Sequence, residues 1–332
     1  MDLVIGGSGF IGSWLVSVLR EMGRAVRVFD LASYPSDGTL RPNQIRIGSI
    51  LDIDAVNRAV GGCETVYHLA GIAHLWKRNP ADFDRVNHRG TKNVVEAVRR
   101  AGVNRFVYTS TESILIPRVQ NGPITESVRT TLDEMIGPYC RSKFLAERQV
   151  MELAKSGFPA VIVNPTLPIG PLDRNLTPPG QMIRNFLLGR IKGYLECVLN
   201  FVDVRDVAMG HVLAFQYGVP GERYILAGHN ILIKDFFMRL AEITNTPPPR
   251  FKAPTPIALG FSYFDELRAR LTGKEPLSSV TGVRLCGRSM AFDGSQTWRR
   301  LGGHSLIPLE RSLKDAVTWH RRRLEAEGFS LG

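Results

Sequence analysis

The chain is poor in several features that would have decided its class at once. It has 4 cysteines in 332 residues (Cys63, Cys140, Cys197 and Cys286), with no C-x-x-C pair and no zinc-like spacing. Neither a disulfide framework nor a structural zinc site is therefore the basis of the fold, and free thiols in a reducing compartment are expected. The 7 histidines form no ligand pattern, so no metal is expected. No apolar run approaches the roughly 18 residues that span a bilayer. The opening "MDLVIGGSGF" has none of the basic, apolar and cleavage regions of a leader peptide. A cytoplasmic location is expected, with peripheral contact at the inner membrane face as an option. Internal repeats and low-complexity tracts are also missing.

Negative charge is in deficit: 42 Lys and Arg stand against 31 Asp and Glu, a formal balance of +11. Such a surface favours anionic partners. Its densest cluster, "HRRR" at His320 to Arg323, lacks interleaved aromatics and any nucleic-acid signature, so it reads as a solvated helix face. No nucleic-acid partner is expected.

What the chain does have is alternation. "LVIGG", "AVRVFD", "QIRIG", "TVYHLAG", "NRFVYTST" and "AVIVNPT" are strand-like runs, and between them lie helix-period segments at Phe10 to Glu21, Ala81 to Arg100 and Tyr139 to Lys155. The pattern implies βαβ units: an α/β fold with a doubly wound parallel sheet of Rossmann type. After Pro165 it loosens into Pro/Gly-rich loops. Residues 1–165 are read as the dinucleotide-binding domain and 166–332 as mainly a smaller substrate-binding domain, with 200–217 returning to the sheet.

"GGSGFIG" follows the first strand and opens the first helix, placing Gly6, Gly9 and Gly12 where missing side chains let a backbone approach a pyrophosphate. The next strand ends at Asp30, 18 residues beyond Gly12, where a carboxylate can accept hydrogen bonds from the adenosine ribose and repel a 2′-phosphate. NAD is therefore expected ahead of NADP. A second pair carries chemistry. Tyr139 and Lys143 in "GPYCRSKFLAE" are four apart on a helix, so both leave one face and can approach one reacting atom.

"GGSGFIG", "YHLAG", "VNHRGTKNVVEA", "FVYTST" and "YCRSK" together resemble the extended short-chain dehydrogenase/reductases. "MIGPYCRSKFLAE", "VIVNPTLPIGPLDRNLTPPG" and "LTGKEPLSSVTGVRL" resemble the dihydroflavonol 4-reductase-like group within them, which includes proteins called hopanoid-associated sugar epimerases. The resemblance implies that Tyr139 gives or takes the proton at the substrate oxygen. Lys143 would hold the nicotinamide ribose and, with the oxidised cofactor, lower the phenol from its free value of about 10. It places the third catalytic hydroxyl on Thr111, with Ser110 second. It also implies a cofactor contact set of Phe10, Ile11, Ser49, Ile50, Leu69, Ala70, Gly71, Asn87 and Pro165. Ser49 departs from the pattern, standing where relatives carry an adenine-binding Asp. On the substrate side the resemblance points to Glu112, Asn164 and Thr177, Asn164 matching an asparagine that contacts a substrate diphosphate in sugar epimerases.

Three readings stay open: a ketone/secondary-alcohol oxidoreductase on a bulky, lipid-like substrate, a nucleotide-sugar epimerase, and a non-catalytic dinucleotide-binding regulator. Sugar 4,6-dehydration is disfavoured, because Glu112 and Ser113 stand where that elimination needs an Asp-Glu pair. The apolar stretches "NFLLGRIKGYLECVLNF" and "PIALGFSYFDELRARL" favour the first; Asn164 and the basic charge favour the second. In "PIALGFSYFDELRARL", Ile257, Leu259, Phe261, Phe264 and Leu267 fall near one side of a helix, fit to cover an apolar substrate or touch a membrane. A homodimer is expected through the helices at Ala81 to Arg100 and Tyr139 to Lys155, as in the family.

Overall fold

The structure, a computed structural model, describes residues 1–34 and 44–329. The first half runs β1 (Asp2–Ile5), α1 (Phe10–Glu21), β2 (Val26–Asp30), β3 (Ile45–Ile47), α2 (Ile53–Val60) and β4 (Thr65–His68). There follow α3 (Ala81–Phe83), a π-helical segment (Asp84–Gly90), α4 (Thr91–Ala101), β5 (Arg105–Thr109), α5 (Gly137–Lys155) and β6 (Ala160–Pro165). The helix expected over Ala81 to Arg100 is therefore interrupted by a π turn. Gly102, at φ 63°, closes α4 in the left-handed conformation that glycine adopts without strain.

The second half is β7 (Leu167–Ile169), α6 (Pro178–Leu187), β8 (Gly193–Tyr194), β9 (Val198–Asp203), α7 (Val204–Tyr217), β10 (Arg223–Leu226), β11 (His229–Leu232) and α8 (Ile233–Thr244). It ends with β12 (Phe251–Lys252), α9 (Thr255–Thr272), α10 (Val280–Cys286), α11 (Ser295–Arg300) and α12 (Leu309–Ala326).

Seven strands form one parallel sheet in the order β10-β6-β5-β4-β1-β2-β3. Strands β1, β4 and β6 are buried along their whole length, which is why β1 and β6 read as largely apolar runs. Helices cover both faces, Val94 and Val150 packing on one and Leu15, Val16 and Val207 on the other.

One boundary expectation needs correcting. Within 200–217 only helix α7 returns to the large sheet, where it lies beside α1; strand β9 instead joins β7 and β11 in a separate three-stranded sheet. The strand that comes back is β10, paired with β6 from Arg223↔Ile162 to Leu226↔Pro165. The reason is side-chain burial: β9 sends Leu199 and Phe201 into the C-terminal core, where Phe201 stacks on Phe236 at 4.4 Å. Arg223 on β10 instead forms an ion pair with Glu147 on α5.

Candidate active site

The sheet order reverses between β1 and β4, and α/β folds open a crevice at such a point. A cleft of about 780 Å³ runs from the β1–α1 turn past the end of β5 to the loops of the C-terminal half. At one end Gly6, Gly9, Phe10, Ile11 and Gly12 line it. The turn is closed tightly: Gly6 has φ +87°, and a Cβ on Gly12 would stand 2.1 Å from the Gly6 carbonyl oxygen. No side chain caps α1, so its first-turn N–H groups are presented to the cleft. This is a cradle for an anionic group, and it fits a dinucleotide pyrophosphate.

Asp30 lies beside that turn at the end of β2. One carboxylate oxygen accepts from Ser8 N (2.9 Å) and the other from Leu31 N (2.7 Å), which fixes the group beside the turn, outside the cleft lining, while leaving lone pairs for ribose hydroxyls. Arg27, lower on the same strand, donates to the Ala59 and Gly61 carbonyls and faces away.

The middle of the cleft is lined by Thr109, Ser110, Thr111, Glu112 and Ser113 from the end of β5, by Tyr139 and Lys143 from α5, and by Leu69, Gly71 and Pro165. The helical spacing thus brings Tyr139 and Lys143 to one wall, beside the hydroxyls at the end of β5. Thr111 Oγ1 donates to Glu112 Oε2 at 2.6 Å, and Ser113 Oγ donates to Glu112 Oε1 at 2.9 Å. Ser110 Oγ is buried and has no partner among the described residues, so it is the free hydroxyl of the set. Thr177, the N-cap of α6, lines the substrate half; its hydroxyl donates to Asp173 at 2.6 Å.

Burial pushes the Tyr139 phenol well above its ordinary range, and the neighbouring Glu112 adds to this; a hydrogen bond with Thr111 offsets only part. Of the lowering expected from Lys143 together with the oxidised cofactor, Lys143 alone contributes none. Its ammonium donates to the Thr109 carbonyl at 2.8 Å and sits over the Tyr108 ring. Burial lowers Lys143 itself to about 8, with Glu147 opposing.

Several expected contacts stand behind the wall instead of in it. Asn87, placed by the π segment, accepts from Ile72 N (2.7 Å) and donates to Ser142 Oγ (3.0 Å), tying the loop after β4 to α5. Ser49 caps Leu51 N at 3.1 Å, Ile50 packs on Gly90, and Ala70 N bonds the Ile5 carbonyl. Asn164, expected on the substrate side, stands on β6. Fully buried, it donates to the Thr111 carbonyl (3.0 Å) and to Glu147 (2.9 Å) and does not line the cleft. Its amide nitrogen thus reaches the Glu147–Arg223 pair, while its Oδ1 is buried without a partner among the described residues.

The sequence reading missed two groups of lining residues. One is the loop Ile72–Lys77, whose Trp76 Nε1 is buried without a partner among the described residues. The other is Leu277, Val283, Leu285 and Cys286 around α10. "IAHLWK" carried a signal, an apolar and aromatic run just after a strand with no helix cap; most of α10 falls in "LTGKEPLSSVTGVRL", whose family resemblance gave no lining role.

A parallel sheet in this order, with a glycine cradle at its switch point and a Tyr/Lys helix on the cleft wall, defines an extended short-chain enzyme that works with a dinucleotide. Residues 3–227 match the NAD dependent epimerase/dehydratase family, and the chain belongs to it. It is 34% identical over 324 residues (95% of this chain, 93% of the relative) to a Synechocystis sp. protein provisionally named as a dihydroflavonol 4-reductase. It is 30% identical over 330 residues (97% and 98%) to sterol demethylase protein B of Methylococcus capsulatus. Among solved structures, the crystal structure of gox2253 is similar with a TM-score of 0.82 and 32% identity, covering 97% of this chain and 98% of that one.

Proposed function

We propose that this protein is an NAD-dependent oxidoreductase that moves a hydride between the nicotinamide and a ketone or secondary alcohol on a bulky, apolar substrate. The observation that carries the proposal is the convergence of Ser110, Thr111, Tyr139 and Lys143 on a single cleft continuous with the glycine cradle. When bound, NAD would supply the hydride acceptor or donor. The protein's own residues handle the proton. In reduction the Tyr139 hydroxyl gives its proton to the carbonyl oxygen as that oxygen becomes a hydroxyl; in oxidation the phenolate takes it back. A phenol held high by burial is a reluctant base, so the oxidation direction needs positive charge beside it. Lys143, one turn away on α5, would supply it.

Ser110, with its hydroxyl unengaged, is placed to orient the substrate oxygen, and Thr111, bound to Glu112, to hold Tyr139. The Asp30 carboxylate at the end of β2 supports NAD over NADP. The substrate half of the cleft is lined by Ile72, Leu75, Met182, Leu199 and Val283, which supports an apolar substrate; a relative named for sterol demethylation points the same way.

The epimerase alternative keeps the basic charge as support but not Asn164, which lies outside the cleft lining. The two differ in what happens to the cofactor: an oxidoreductase must exchange NAD each turnover, whereas an epimerase regenerates it in place. Purified protein is expected to lose most of its NAD on dialysis and to change reduced-nicotinamide absorbance stoichiometrically with substrate. Tyr139→Phe should slow that change by a factor of about 10² to 10⁴ while leaving NAD exchange intact. Retention of NAD together with interconversion of UDP-sugars at constant absorbance would establish the epimerase instead.

A further inference from the structure

Helix α9 is amphipathic the wrong way round. The residues it turns into the protein are Ser262, Asp265 and Ala269, small or polar and all buried. Its apolar side chains face out: Ile257 is 66% exposed, Phe261 51%, Phe264 66%, Leu267 56% and Leu271 78%. At 100° per residue these five fall within roughly one third of the helix circumference. Of the 19 exposed large apolar side chains among the described residues, 7 lie between Ile257 and Leu277, so the stripe is not ordinary scatter.

The helix is held in place by polar bonds. Asp265 accepts from Leu277 N (2.6 Å), Ser278 N (3.1 Å) and Arg268 Nε (2.8 Å), Glu266 accepts from Val280 N (2.8 Å), and Arg284 donates to Tyr263 Oη (2.8 Å). The fold keeps the apolar face outward by anchoring the opposite one.

We infer that this face docks α9 on an anionic lipid bilayer. The charges decide the occupant. Arg270 and Lys274 lie beside the stripe and pair with no carboxylate among the described residues, while Arg268 is paired with Asp265, Glu266 accepts from Val280 N and Glu275 accepts from Gln181. Cations beside an apolar helix face fit acidic headgroups above acyl chains. A second copy of the chain docking face to face would set those cations against each other. With 4 charged residues in 18, and no helix among the described residues long and apolar enough to cross a membrane, α9 would lie in the interface.

Position adds a reason for docking there. Leu277, exposed just beyond the end of α9, also lines the cleft, and the segment Glu275–Ser279 that leaves α9 borders it. An apolar molecule leaving the bilayer beside α9 would meet the cleft without crossing water. The docking inference itself does not rest on the reaction proposed above.

The test is flotation of the full chain with phosphatidylcholine vesicles, with and without phosphatidylglycerol, at low and high salt. Binding is expected only with phosphatidylglycerol, weakening as salt rises. The double variant Phe261→Ser/Phe264→Ser should lower partitioning on the order of tenfold or more, and Arg270→Glu/Lys274→Glu by on the order of tenfold, with unfolding midpoints unchanged because all four side chains are solvent-facing. Equal binding to neutral vesicles, or no binding to either, overturns the inference. So does sedimentation showing that the serine variant dissociates a dimer that itself ignores vesicles.

Discussion

A buried carboxylate one residue from a hydroxyl and beside a phenol changes the behaviour of both. Glu112 is held above the usual carboxylate range by burial, with Thr111 and Ser113 pulling the other way through their hydrogen bonds. When ionised it accepts the Thr111 proton, so that hydroxyl is not available as a donor to substrate, and its charge disfavours the Tyr139 phenolate. Glu112→Gln keeps the shape and removes the charge. The phenol's pKa should then fall, and the rising limb of kcat/KM against pH for alcohol oxidation should move to lower pH. A limb that stays in place would mean that Glu112 is already protonated in the working enzyme. At this scale the sequence was informative about residue types and poor about directions. Tyr139, Lys143 and the β5 hydroxyls were legible from helical spacing and motif. That Asn164 would turn to Glu147, or Lys143 to the Thr109 carbonyl, depends on partners far along the chain, such as Arg223, and no local pattern records them.

Among the elements, the β1–α1 turn shows how little room the cradle has. A methyl on Gly12 would meet the Gly6 carbonyl oxygen at 2.1 Å and the Gly7 Cα at 2.8 Å, both backbone atoms that cannot rotate aside. Gly12→Ala should therefore push the turn outward into the space that the cofactor occupies. NAD affinity is expected to fall by on the order of tenfold or more, with an unfolding midpoint lowered as overpacking requires; fluorescence titration and thermal denaturation would read the two effects separately. Unchanged affinity would remove the turn from the cofactor site. The strand–turn–helix context of this element was visible because glycine spacing, a preceding apolar run and a following helical period coincide. The π turn at Asp84–Gly90 was not, since its residues suit an ordinary helix and only packing of Gly90 on Ile50 singles them out. Nor could the exchange of β9 for β10 be read, because an alternating strand pattern does not say which sheet it joins.

The molecule as a whole buries three histidines in neutral form, one each on β4, α7 and α12. His68 on β4 is lowered to about 3, His211 on α7 to about 4 and His320 on α12 to about 4, burial being the first cause in every case. His68 meets Thr91 at 3.0 Å and His211 meets Thr109 at 2.7 Å, whereas neither ring nitrogen of His320 has a partner among the described residues. In the unfolded chain each would titrate near 6.5. Folded-state values below the unfolded one mean that the unfolded state binds more protons as pH falls, so their contribution is fully present above about pH 6.5 and is lost on acidification towards about pH 4. Each fully protonated group costs about 1.4 kcal/mol per pH unit, and three together about 4 kcal/mol per unit, against a total stability of roughly 5–15 kcal/mol. Denaturant midpoints should accordingly drop steeply between about pH 6 and 4. His320→Leu isolates one member, because an apolar side chain there leaves no hydrogen-bond partner stranded. The acid limb of its stability curve should be shallower than that of the unaltered protein by roughly 1.4 kcal/mol per pH unit, while at neutral pH the two curves converge to within the cost of the altered packing. Parallel acid limbs would show that the ring of His320 finds water or protonates in the folded state, and the steepness would then have to come from the carboxylates.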